Sequence, residues 1–214
     1  MKKTKLAALV ITAGSLLATP VMAEVSLNAG VVSNYLWRGL TQTNGAAAVQ
    51  GGIDFESDSG VYVGSWASNV DFGDGTSYEL DFYGGYAGEV SGFNYDLGVI
   101  YYAFPDGEDS NATELYLSAG YDFISMTYSK QIQSDWDANN VSYLEANAEF
   151  ELTQSLTLGL HAGKWLGSDT DEDTDINASL TRSTDQGDIS LLVSKSSAVD
   201  YDDAQVVVGY AVAF

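Results

Sequence analysis

Apolar and polar residues alternate along this chain in run after run. That period of two constrains the fold most, because it puts one side of each extended segment in an apolar medium and the other in a polar one. In residues 78–87, Tyr78, Leu80, Phe82 and Tyr86 share one face, and Glu79, Asp81, Tyr83 and Gly85 the other. Residues 93–104 set Phe93, Tyr95, Leu97, Val99 and Tyr101 against Asn94, Asp96 and Gly98. Leu144, Ala146, Ala148 and Phe150 oppose Glu145, Asn147 and Glu149, while Leu156, Leu158, Leu160 and Ala162 oppose Thr157, Gly159, His161 and Gly163. About twelve such runs follow one another between turn signals, which predicts an all-β chain. The 22 Gly disfavour long helices, and the abundant Tyr, Val, Thr and Phe suit a pleated surface.

Alternation fits two folds: a soluble sandwich with its apolar face inward, and a membrane barrel with that face toward lipid. The connections separate them. Short turns fall at 57–60, 89–92, 122–123, 151–155 and 184–187, between mostly longer links at 39–45, 71–75, 105–111, 133–140, 167–173 and 199–203. Short turns at one end and long loops at the other predict a transmembrane up-and-down antiparallel β-barrel of about 12 strands, with both termini in the periplasm. Residues 1–23 read as a signal peptide: Lys2, Lys3 and Lys5 precede an apolar run at 6–18, and Val21-Met22-Ala23 ends on a small residue at the expected cut. The barrel domain is then 24–214, and the expected location is the bacterial outer membrane. No other segment is apolar for long enough to be a membrane helix.

Composition removes other classes. With no Cys there is no disulfide scaffold, thiolate zinc site or Cys nucleophile, and with one His most His-based chemistry lacks parts. With 30 Asp and Glu against 8 Lys and Arg, the chain repels phosphate backbones, so no nucleic-acid partner is expected. His161 has only Gly159 and Gly163 as same-face neighbours on its own strand, so neither a Ser-His nor an Asp-His pair forms along it; across-strand partners stay open. The chain is read as a non-enzyme without a cofactor.

Val206, Val208, Tyr210, Val212 and Phe214 occupy every second position up to the last residue. A lipid-facing ridge ending on an aromatic residue resembles the signal read by the outer-membrane barrel assembly machinery, which makes these five residues candidates for that role. Residues 33–43 read SNYLWRGLTQT and residues 48–72 read AVQGGIDFESDSGVYVGSWASNVDF; ELDFYGGY at 79–86 and YYAFP at 101–105 follow. Over 33–105 these stretches resemble the TorF porin family of proteobacterial outer-membrane proteins. The resemblance implies a barrel and a channel role, and no particular substrate.

Strand phase puts Tyr35 and Trp37 on the outward side, near the outer rim, and Asn34 and Arg38 in the lumen. The lumen candidates are then Arg38, Asp54, Glu56, Glu79, Asp81, Asp96 and Glu114. Arg38 is either a constriction charge that sorts solutes or, as the cost of burying uncompensated acids favours, an ion-pair partner bracing the wall. Lys130, Lys164 and Lys195 sit on the outward phase near the loop end, where they snorkel or meet lipopolysaccharide phosphates. The long links hold fourteen carboxylates and no base, a rim that concentrates cations. Within it Asp169, Asp171, Asp173 and Asp175 are spaced like a calcium loop, although Thr174 and Leu180 stand where such a loop needs Gly and Glu. A solvated acidic loop is the plainer reading. The expected function is passive diffusion of small solutes with cation preference. Its rivals are a structural barrel whose bore is filled by Tyr83, Tyr102, Tyr116 and Trp165 and, behind it, an outer-membrane enzyme.

Overall fold

The computed structural model describes residues 24–108, 110–135, 140–167, 172–198 and 202–214. The signal-peptide reading of 1–23, like Asp169 and Asp171, lies outside them. Among the described residues, fourteen strands follow in chain order. They are β1 Glu24–Val32, β2 Leu36–Trp37, β3 Leu40–Thr41, β4 Ala48–Glu56, β5 Val61–Asn69, β6 Tyr78–Val90 and β7 Phe93–Ala103, then β8 Ala112–Tyr121, β9 Ile124–Ser134, β10 Ser142–Thr153, β11 Leu156–Leu166, β12 Thr174–Thr184, β13 Gly187–Ser196 and β14 Gln205–Ala213.

Twelve of them, β1 and β4 to β14, form a closed antiparallel barrel in which each strand pairs with its chain neighbour and β1 closes onto β14. Closure leaves no unpaired edge, the condition for a sheet to stand in hydrocarbon. Phe214 extends the seam, its N–H donating to Leu27 O at 2.8 Å while Leu27 N–H donates to Phe214 O at 3.3 Å.

The apolar face points outward. Val49 is 68% exposed, Val206 61% and Phe214 78%, and Phe82, Leu97, Leu117 and Ile176 stand clear of the barrel wall. A sandwich would bury these side chains. An apolar surface this continuous is solvated by lipid, not by water. No helix among the described residues is long and apolar enough to cross a membrane.

The sequence reading runs the first strand through Arg38. Here β1 stops at Val32, and residues 33–47 turn inward to carry β2 and β3, a small hairpin separate from the barrel sheet. Tyr35 is consequently 5% exposed and packs edge-on against Trp66 at 5.4 Å, so it does not face the membrane. Trp37 also lies inside, stacked edge-on against Tyr102 and Trp165 at 5.8 and 5.3 Å. The physical reason is local: Arg38 and Gly39 both take positive φ, 49° and 78°, and reverse the chain where a strand would have continued.

Candidate functional site

The base of the inward loop is held by hydroxyls. Asn34 Oδ1 accepts from Thr41 Oγ1 at 2.6 Å and from Thr43 Oγ1 at 3.2 Å, and Gln42 N–H donates to Tyr35 O at 2.7 Å. These bonds close a narrow neck from which Leu36–Trp37 and Leu40–Thr41 project as a two-residue hairpin. At its tip, a Cβ on Gly39 would sit 2.6 Å from the Asp175 Cβ on β12. Only glycine allows the tip to lie that close to β12 and to Ser196 on β13.

Arg38 crosses the bore from this tip. Its Nη1 and Nη2 donate to Glu114 Oε1 and Oε2 on β8 at 2.9 and 2.6 Å, a bidentate pair with both side chains almost fully buried. The guanidinium carbon also lies 4.4 Å from the Trp37 ring, 4.4 Å from Tyr143 on β10 and 4.8 Å from Trp165 on β11. Beside Glu114 the β8–β9 register shifts, so that Thr113 faces Gln133 while Glu114 faces Gln131 and Ile132 is the extra residue. Bulges of this kind re-aim a neighbouring side chain. One Arg thus meets a carboxylate fork and three aromatic faces drawn from three strands and its own hairpin.

The other lumen candidates divide into two groups. Glu79 and Asp81 point into the barrel but are only 3% and 5% exposed, covered by the cluster that includes Tyr35, Trp66 and Tyr102, so neither lines a constriction. Their Oε2 and Oδ1 atoms, with Trp66 Nε1, are buried without a hydrogen-bond partner among the described residues. Asp54, Glu56 and Asp96 lie toward the short-turn end and keep partial contact with solvent. Asp54 accepts from Tyr83 Oη and from Asn28 Nδ2 at 3.4 Å, and Asp96 accepts from Tyr62 Oη at 2.7 Å, Tyr62 being also bonded to Tyr116 Oη.

His161 does find partners, across strands. Its Nε2 lies 2.9 Å from Asp175 Oδ2 and 3.1 Å from the Tyr143 hydroxyl, its Nδ1 lies 2.7 Å from Asn147 Oδ1, and Tyr143 Oη donates to Asp175 Oδ1 at 2.5 Å. The cluster closes over Gly163, where a Cβ would collide with the Tyr143 hydroxyl. Asp175 therefore belongs to the interior, both oxygens engaged, and drops out of the calcium-loop pattern; Asp173 accepts instead from Ser197 Oγ at 3.1 Å. No cluster of three metal-ligating side chains occurs among the described residues.

At the loop end, Lys164 Nζ bonds Glu172 Oε2 at 2.9 Å, and this partner holds the Glu172 carboxyl below its ordinary range. Lys130 Nζ donates to Asn140 Oδ1 at 3.0 Å, while Lys195 is exposed. Between the base of the hairpin and the short turn at 184–188, β1, β13 and β14 border a cavity of about 430 Å³, whose lining mixes polar and small residues such as Asn28, Gln50 and Ser190 with Tyr35, Leu36 and Val207.

Comparison with solved structures returns barrels. The KdgM porin aligns with a TM-score of 0.61 at 14% identity, covering 88% of this chain and 98% of that one. A KdgM porin in complex with disordered oligogalacturonate gives 0.58 at 12%, covering 89% and 97%. The COG4313 outer membrane channel from Pseudomonas putida F1 gives 0.58 at 10%, covering 92% and 97%. At such identities the likeness establishes the fold. No curated protein matches the chain. The TorF name suggested by residues 33–105 is carried by none of these comparisons. A family model does match residues 18–208, and the chain belongs to that family, Gcw_chp, described as a bacterial protein of unknown function.

Proposed function

We propose that the chain is an outer-membrane porin of the TorF type, delivered by a signal peptide over 1–23, that passes small solutes by diffusion and prefers cations. The observation that carries this reading is the cavity of about 430 Å³ between the base of the hairpin and the short turn at 184–188, bordered by β1, β13 and β14 inside a closed barrel. The barrel's likeness to the KdgM and COG4313 channels supports it. Solutes that clear the hairpin would enter this cavity and meet Asp54, Glu56 and Asp96 toward the short turns. Fixed carboxylates in a narrow bore raise the local cation concentration. Oligogalacturonate, the polyanion held by the KdgM porin, is of the opposite sign to the solutes these acids favour.

His161 does pair with Asp175 across strands, and with both its nitrogens engaged by Asn147, Asp175 and Tyr143 the cluster reads as a brace of the wall. The rival with an observation of its own is a structural barrel closed by its filling, on the strength of the buried Tyr35, Trp66, Tyr102 and Phe104. Liposome swelling separates the two. Proteoliposomes should swell faster in glucosamine than in glucuronate, sugars of similar size and opposite charge, and Asp54→Asn with Asp96→Asn should narrow the difference. Swelling no faster than in protein-free liposomes would refute the channel.

A further inference from the structure

We infer that Glu114, Tyr143 and Trp165 form a guanidinium-binding subsite in the wall of the bore, filled at rest by Arg38 of the protein's own hairpin and open to competition from a guanidinium-bearing solute. The inference takes its functional meaning from the channel reading, but the subsite is a binding equilibrium that can be measured without conduction.

The wall supplies what a planar cation needs. Glu114 presents both oxygens to Nη1 and Nη2 at 2.9 and 2.6 Å, and the Tyr143 and Trp165 rings stand 4.4 and 4.8 Å from the guanidinium carbon. An ammonium cannot span both carboxylate oxygens in this way, which favours guanidinium over amine. Glu114 is 3% exposed, so with Arg38 gone its buried carboxylate would demand another cation.

The hairpin, in turn, is shaped as a ligand carrier. Arg38 takes φ 49° at the first central position of a two-residue turn, where Asn, Asp or Gly is the ordinary choice. An Arg in the left-handed region costs backbone strain that the contacts of its side chain offset here. The hairpin itself is only two residues per strand, so its seat depends on the tip contacts more than on its own ladder. Displacement of Arg38 would loosen the tip while the neck bonds and the Tyr35 packing hold the base.

The test is Trp fluorescence of the detergent-solubilised barrel titrated with methylguanidinium, with methylammonium as the control, since Trp165 lines the subsite. Arg38→Ala should give a saturable change with methylguanidinium and a weaker one with methylammonium. The wild type should need at least about tenfold more probe, because its tethered Arg38 competes at a high effective concentration. Adding Glu114→Gln to Arg38→Ala should weaken binding at least about thirtyfold. Absence of saturation in Arg38→Ala, equal response to the two probes, or indifference to Glu114→Gln overturns the subsite. Should Arg38→Ala fail to fold, methylguanidinium should restore its refolding yield, and no restoration overturns the subsite equally. Binding without current refutes the channel alone; current without binding refutes the subsite alone.

Discussion

The Arg38–Glu114 pair should be among the strongest single couplings in the molecule. Its side chains are 7% and 4% exposed, so neither charge has enough water to replace a lost partner. Removing one member of such a pair typically costs about 3–5 kcal/mol, because the other stays buried and uncompensated. The Tyr143 and Trp165 rings add about 0.5–2 kcal/mol each, which a neutral side chain of Arg length would forfeit. Arg38→Met and Glu114→Gln, alone and together, define a cycle in which each single change should lower stability and the double should cost much less than their sum. We expect a coupling of at least ~2 kcal/mol, inside the range measured for close charge pairs. The assay is urea unfolding from lipid vesicles followed by Trp fluorescence. A coupling below ~1 kcal/mol, the scale of a solvent-exposed pair, or a neutral Glu114→Gln, would refute the claim that the hairpin is clamped from its tip.

Gly39→Ala should unseat the same tip, since a Cβ there meets the Asp175 Cβ at 2.6 Å and the backbone sits at φ 78°; acrylamide quenching of Trp37 and Trp165 should rise, and unchanged quenching would contradict the account. Ser77 N–H and Oγ–H both donate to Asp106, which holds that carboxyl below its ordinary range. A depressed carboxylate lends its stabilisation above the unfolded value of about 4 and loses it as pH falls through the lower folded value, so Ser77 amide protection should persist at neutral pH and fade only in acid below ~4. Protection that already fades between pH 5 and 7 would contradict the assignment. Deleting Phe214 removes a side chain 78% exposed to the lipid side and two backbone bonds to Leu27. The backbone bonds are worth about 1 kcal/mol each, so outer-membrane yield in cells should fall well beyond the loss in refolding from urea. Equal losses would argue against an assembly signal.

The barrel was legible because its cause is local. Every second residue of β6, β7, β10 and β11 must be apolar if lipid is to face it, and the alternation of short turns with long links gives the meander order directly. Strand phase alone turns Asp54, Glu56, Glu79, Asp81, Asp96 and Glu114 inward, whereas Arg38 reaches the bore from the hairpin tip. The hairpin escaped that reasoning because Tyr35 and Trp37 continue the phase of β1, so periodicity extends the strand past its true end at Val32. One signal was present: Arg-Gly between Leu36-Trp37 and Leu40-Thr41 is a two-residue turn flanked by two short β-prone pairs. The sealing of Glu79 and Asp81 follows from the hairpin, since Tyr35 is part of what covers them. The His161 cluster was beyond reach for another reason. Its members come from β10, β11 and β12, and only the cross-strand register, Asn147 to His161 and Asp175 to Gly163, brings them together.

Single-channel recording in a planar bilayer, across a potassium chloride gradient, tests the central claim most directly. The account predicts discrete conductance steps in the wild type, a reversal potential of the sign given by cation preference, and larger steps in Arg38→Ala as the hairpin tip loosens. A folded barrel that passes no current in either protein would contradict it.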